Sequence, residues 1–186
     1  MADYKTLHGS NIETVSSDPS NPVNGQVWYN STSQTMKAFT QNPAGSWASG
    51  GNLNTARDAL GSAGTQTAAL GFGGHPPYVA IAESYNGSAW SEVGDLNTGR
   101  KQLGGAGTST AALGFGGDTG SVSAVNESWN GTSWTEVADL STARSKLGGA
   151  GTQTAALAFG GTTGSVSVAT EEFTSPLDAT VSFDSS

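Results

Sequence analysis

The chain has 186 residues, a net charge of −8, only 12% charged side chains, 27 glycines and no cysteine. Without cysteine there is no disulfide framework, thiolate nucleophile or Cys-ligated zinc, and the seven Lys and Arg residues are scattered, with no basic stripe to displace counterions from nucleic acid. Low charge argues against an acidic disordered chain, and Gly, Ser, Thr and Ala with few Leu argue against helices, which leaves a β-protein rich in tight turns.

Residues 1–17 are polar and without periodicity, and are expected to form an N-terminal arm. They contain no apolar stretch of the signal-peptide kind, and nowhere does the chain reach the run of about 18 apolar residues that spans a bilayer. The expectation is assembly in the cytoplasm, without membrane insertion. Residues 18–46 read as a β-hairpin module. Pro22 and Asn24-Gly25 mark a turn. From Gln26 to Asn30, Val27 and Tyr29 lie on one side and Trp28 on the other. A polar loop over 31–34 leads to a second strand from Thr35 to Phe39.

Residues 47–186 carry a repeat. It reads RDALGSAGTQTAALGFGG over 57–74, RKQLGGAGTSTAALGFGG over 100–117 and RSKLGGAGTQTAALAFGG over 144–161, so that Arg57, Arg100 and Arg144 are 43 and 44 residues apart. A fixed period of this size signals a propeller, a solenoid or an array. In the first copy the strands are expected over 60–67, 68–74, 79–85 and 89–96. Asn86-Gly87, and Asn130-Gly131 in the next copy, are expected as type I′ hairpin turns with positive φ at both positions. The pairs Gly73-Gly74, Gly116-Gly117 and Gly160-Gly161 end the second strand of each copy. There, Leu70 and Phe72 point one way and Ala69, Gly71 and Gly73 the other. A sheet with one large and one small apolar face stacks on a copy of itself; a half-solvated sheet would show polar residues outward.

Trp47, Trp90 and Trp134 each precede one of the arginines by ten residues, and Tyr85, Trp129 and Phe173 share another position. The two series are offset: the last copy has Asp178 where the others have Trp. Residues 46–53 (SWASGGNL) therefore read as a strand that completes the sheet containing Gly160-Gly161, in the same chain or in a partner.

The two histidines, His8 and His75, lie in unrelated contexts, so neither a catalytic constellation nor a metal or cofactor site is expected. Arg57, Arg100 and Arg144 recur at one repeat position, which favours a structural role, bonded to loop carbonyls or to Asp95 and Asp139. Glu83, Glu127, Glu171 and Glu172, with Glu92 and Glu136, recur likewise and read as solvated faces of outer strands. The loops after each Gly-Gly differ on a constant frame, which is where recognition tends to sit. The candidate ligand contacts are His75, Tyr78, Asp118, Thr119, Thr162 and Thr163.

Two resemblances follow from these residues. The words NG-x-x-WYNSTS-x-x-x-K, residues 24–37, resemble a short module near the N-termini of phage tail and virion-appendage proteins. The Arg, the Gly-Gly, the strand aromatic and the later Trp, over about residues 47–173, resemble kelch-type repeats. The kelch resemblance implies an all-β fold of kelch-like β-propeller blades, about three four-stranded sheets per chain. Known propellers close with four to eight blades, so a ring or prism here is expected to be completed by strand exchange or oligomerisation, as a homodimer or homotrimer. Together the two imply a non-enzymatic phage virion protein of a tail fibre, tail tip or capsid appendage. Its N-terminal region would contact other virion proteins and its loops host-surface glycans. The alternative is a free lectin-like, carbohydrate-binding propeller module.

Overall fold

A computed structural model describes residues 12–40 and 45–175. The chain divides into two compact units, Met1–Ser49 and Gly50–Ser186. Among the described residues the fold is all-β, without helix, in four sheets of three or four strands.

The first unit holds β1 (Glu13–Val15), β2 (Val27–Asn30) and β3 (Thr35–Ala38) in one sheet. The expected hairpin is present, with Trp28 opposite Lys37 and Tyr29 opposite Met36. β1 runs parallel to β2, so part of the stretch read as an arm is a strand. Its Thr14-Val15 pair is β-branched and suits a pleated surface, a signal too short to register as periodicity. The Asn30 side chain closes the hairpin loop, accepting from Thr32 N and Ser33 N at 3.0 Å each.

In the second unit each copy of the repeat is an antiparallel meander. The first sheet is β4 (Gly61–Thr65), β5 (Ala68–Phe72), β6 (Ala82–Tyr85) and β7 (Trp90–Val93). The second is β8 (Gly104–Gly107), β9 (Ala112–Phe115), β10 (Asn126–Trp129) and β11 (Trp134–Val137). The third has three strands among the described residues: β12 (Gly148–Gly151), β13 (Ala155–Phe159) and β14 (Thr170–Thr174). Asp178 lies outside the described residues.

Two expectations are corrected. Residues 46–53 form no strand. Those from Gly50 on lie against the first sheet, not the third sheet of the same chain: a Cβ on Gly51 would stand 2.3 Å from Ser88 O, and Asn54 Nδ2 donates to Trp90 O at 3.0 Å. The Asn-Gly turns are not type I′ either, because only the glycines, Gly87 and Gly131, have positive φ. The loop over 86–89 is longer and is held by Asn86 Oδ1, which accepts from Ser88 N and Ala89 N at 3.0 Å each.

The sheets stack large face on small face. Leu70 and Phe72 are fully buried, and a Cβ on Gly114 of the second sheet would stand 2.8 Å from the Phe72 ring. The first strands of adjacent sheets meet backbone to backbone. A Cβ on Gly105 would lie 2.3 Å from Ser62 O, and one on Gly149 would lie 2.3 Å from Gly105 O. Glycine is a poor strand former, but here any side chain would push neighbouring sheets apart. Two core clusters fill the spaces between sheets, one around Leu70, Phe72, Trp129 and Trp134 and one around Leu113, Phe115 and Leu147.

Candidate functional site

The segments before the sheets, residues 51–60, 94–103 and 138–147, are largely exposed or half-buried. Each lays a buried arginine across the sheet that follows it. Arg100 pairs with Glu127 of β10, and both side chains are 0% exposed. Arg57 pairs with Glu83 of β6, also buried, and Arg144 with Glu171 of β14 at 2.8 Å, where the carboxylate is 20% exposed. The structural reading of the arginines therefore has a different acid from the one expected. Asp95 and Asp139 instead accept from the backbone N–H of Ala82 at 3.2 Å and of Asn126 at 3.0 Å. Glu83 and Glu127 are not solvated, because the arginine above them excludes water; Glu92 and Glu136 are exposed, as expected.

A buried ion pair is tolerable only when its remaining donors and acceptors are also satisfied, and here most are. Glu127 accepts from Asn97 N at 2.7 Å, Asn97 Nδ2 at 2.9 Å and Thr98 N at 3.4 Å. Arg100 donates onward to Gly114 O at 2.8 Å and Thr98 O at 3.2 Å, so loop and strand carbonyls are partners as well. Within the three pairs, the Nε of each arginine has no partner among the described residues. Burial pushes the Glu83 carboxyl up, but the Asn54 N–H and the Arg57 guanidinium outweigh it and hold it below its ordinary value. Glu171 follows the same pattern, with burial opposed by Ser141 and Arg144. The three pairs rivet link to sheet and leave no guanidinium free to bind a carboxylate ligand.

The candidate loop residues lie beside this frame and do not converge. His75 Nδ1 is 3.5 Å from Asp58 Oδ1. Lys101 gathers two of the others: its Nζ is 3.9 Å from Asp118 Oδ2 and 5.0 Å from the centre of the Tyr78 ring. Thr119 N donates to Ser121 O at 3.0 Å and Thr163 N to Ser165 O at 3.1 Å, while the Thr162 hydroxyl donates to Ser165 O at 3.1 Å. A cavity of about 210 Å3 is lined by Phe115, Asn126, Glu171 and Phe173 among others, and by none of these six. Among the described residues no group of three or more acidic or histidine side chains could hold a metal ion.

The repeated tryptophans are not equivalent. Trp134 is buried against Phe72 and Trp129, at 4.9 and 5.4 Å between ring centres, and Trp90 packs on Tyr85 at 5.1 Å. Trp47 is fully exposed.

The first unit has its own convergence. Asp18 accepts from Trp28 Nε1 at 3.1 Å, Asn30 Nδ2 at 2.8 Å and Lys37 Nζ at 2.6 Å. The Trp, Asn and Lys of the WYN motif are thus tied to one carboxylate outside the motif. These hydrogen bonds, that from Lys37 foremost, lower its pKa to about 2. Sequence reading missed Asp18, and nothing in its neighbourhood signals it. It also missed the Arg–Glu pairing, for which a signal exists: Glu83, Glu127 and Glu171 recur 44 residues apart, nearly in step with the arginines.

No protein-family model matches the chain, and no curated protein matches it.

Proposed function

We propose that this chain is a non-enzymatic structural protein of a phage virion, a component of a tail fibre, tail tip or capsid appendage. In this reading its repeats are kelch-like propeller blades and it works as a homo-oligomer, assembled in the host cytoplasm. The observation that carries the reading is the fate of the buried charge. Arg57, Arg100 and Arg144, the residues best suited to bind or polarise a substrate, are each locked to a glutamate of the frame. A molecule that commits its interior charge to rigidity suits a mechanical role. The resemblance of the WYN hairpin to phage appendage modules supplies the setting, and the Asp18 cluster gives that hairpin a stiff face for other virion proteins. Such a component needs no cofactor.

Host-surface recognition falls to the loops after Gly-Gly. The half-exposed Tyr78 ring beside Lys101 and Asp118 combines an aromatic face with charged neighbours, which suits a glycan. The same observation favours the second reading, a free lectin-like module. Mass spectrometry of density-purified phage particles separates the two. The virion reading expects this chain at a fixed copy number per particle. A chain absent from particles, but binding sugars as a free protein, overturns it.

A further inference from the structure

Four backbone hydrogen bonds cross each junction between neighbouring sheets, and they repeat. Between the first and second sheets, Leu96 N donates to Ala80 O, Arg100 N to Val79 O, Gly74 N to Arg100 O, and Gln102 N to Ala59 O, at 2.6 to 3.3 Å. Between the second and third, Leu140 N donates to Ala124 O, Arg144 N to Ser123 O, Gly117 N to Arg144 O, and Lys146 N to Gln102 O, at 2.8 to 3.0 Å. The two ends of the array hold the matching halves of a third set. On the link before the first sheet, Leu53 N, Arg57 N, Ala59 N and Arg57 O have no partner among the described residues. On the third sheet, Val168 O, Ser167 O, Lys146 O and Gly161 N likewise have none. Residue for residue, each free donor at one end corresponds to a free acceptor at the other. Ala59, Gln102 and Lys146 even share a left-handed backbone, with φ of 52°, 57° and 56°, so the next rung of that ladder is already oriented.

The apolar surfaces match in the same way. Phe72 and Phe115 are buried under the next sheet, whereas Phe159 is 42% exposed and Val166 and Val168 are bare. Leu103 and Leu96 cover Gly73, and Leu147 and Leu140 cover Gly116; over Gly160 nothing among the described residues lies closer than Ser167 O at 3.8 Å. At the other end Leu53, Arg57, Leu60 and Gly61 repeat the residue types of Leu96, Arg100, Leu103 and Gly104.

We infer that the third-sheet face around Phe159 is an interface for the first link and first sheet of a second copy of this chain. The contact is heterologous; made twice about a twofold axis, it closes. Three sheets from each of two chains make six, within the range of known propellers. This rests on the homo-oligomer part of the proposed function and is independent of its virion part.

One residue makes this junction differ from the two internal ones. Ser62 stands at the position of Gly105 and Gly149, so it brings a real Cβ to where those glycines meet a carbonyl at 2.3 Å. Leu60 Cδ1 also lies 3.0 Å from the Cβ position of Gly71, on the spot Phe159 would take, and must turn away on docking. The junction between copies is therefore looser than those within a copy, and Ser62 tunes it.

Sedimentation equilibrium of the full chain tests this, with circular dichroism confirming that each variant is folded. The expected mass is twice 18.6 kDa. Phe159→Ser and Ser62→Leu should each weaken association about tenfold or more, and Ser62→Gly should strengthen it. A monomeric mass, as when residues 176–186 of the same chain cover Phe159, overturns both this inference and the homo-oligomer reading. An oligomer that is not a dimer, or whose association ignores Phe159 and Ser62, overturns this inference alone.

Discussion

Arg100 and Glu127 lie 27 residues apart and meet with both side chains fully buried, tying the link that leaves the first sheet to a strand of the second. The pair is a fastening, and its energetics follow from burial. Removing one partner strands a charge in the interior, which costs about 3–5 kcal/mol. Glu127→Ala should therefore destabilise the second unit by about that amount in urea denaturation. A double variant, Arg100→Met with Glu127→Leu, should recover much of the loss, since well-packed apolar replacements of buried pairs are often neutral. Glu171→Ala should cost less than Glu127→Ala, because Glu171 is partly solvated.

The glycines of β8 and β12 should be intolerant for a reason unrelated to turns. Gly105→Ala and Gly149→Ala each force a methyl against a carbonyl oxygen 2.3 Å away, and overpacking of this kind costs about 1–3 kcal/mol. Gly45→Ala, with no described residue within 4 Å of the new methyl, should stay within about 0.5 kcal/mol. Thermal melts of the three variants check the contrast.

Acid should loosen the first unit through Asp18. Its pKa in the folded chain is about 2, below the value of roughly 3.9 expected of an unfolded aspartate. A depressed carboxyl contributes stability that is fully present above the unfolded value and is lost as pH falls through the folded one. The indole N–H of Trp28, followed by NMR, should hold its position at pH 5 and shift as pH drops from about 4 towards 2. In Asp18→Asn that acid transition should be absent. Glu83 and Glu171, also held below their ordinary values, give the second unit a pH dependence of the same sign.

Trp134 and Trp47 occupy one repeat position and should behave oppositely. Trp134→Ala removes a buried ring and its hydrogen bond to Gly94 O at 3.0 Å, a loss of about 3–5 kcal/mol. Trp47→Ala should change stability by no more than about 0.5 kcal/mol, as both variants' urea midpoints will show.

Much of the strand pattern was legible because the period repeats it three times. Leu70 and Phe72 against Gly71 and Gly73 announced a large and a small face, and the sheets stack that way. The errors cluster where a residue's partner comes from another copy of the repeat or from another segment. Glu83 and Glu127 look like surface charges on a strand until the link folds over them. Residues 46–53 resemble an outer strand because Trp47 is in register, yet Gly51 and Asn54 lie on the first sheet. The candidate loop contacts stand out in the sequence by their variability, and variability does not report whether side chains converge.

By itself, the sequence determined the all-β class, the three repeats and their facial asymmetry, because side-chain alternation and period are local properties. Only the tertiary structure decided what the arginines and strand glycines are for. An arginine's acid, and the carbonyl that forbids a Cβ at Gly105, are set by how one sheet stacks on the next. Among the described residues the same stacking leaves the Phe159 ring half-exposed and the Gly161 N–H unpaired at one end, and the backbone groups of Leu53 and Arg57 unpaired at the other.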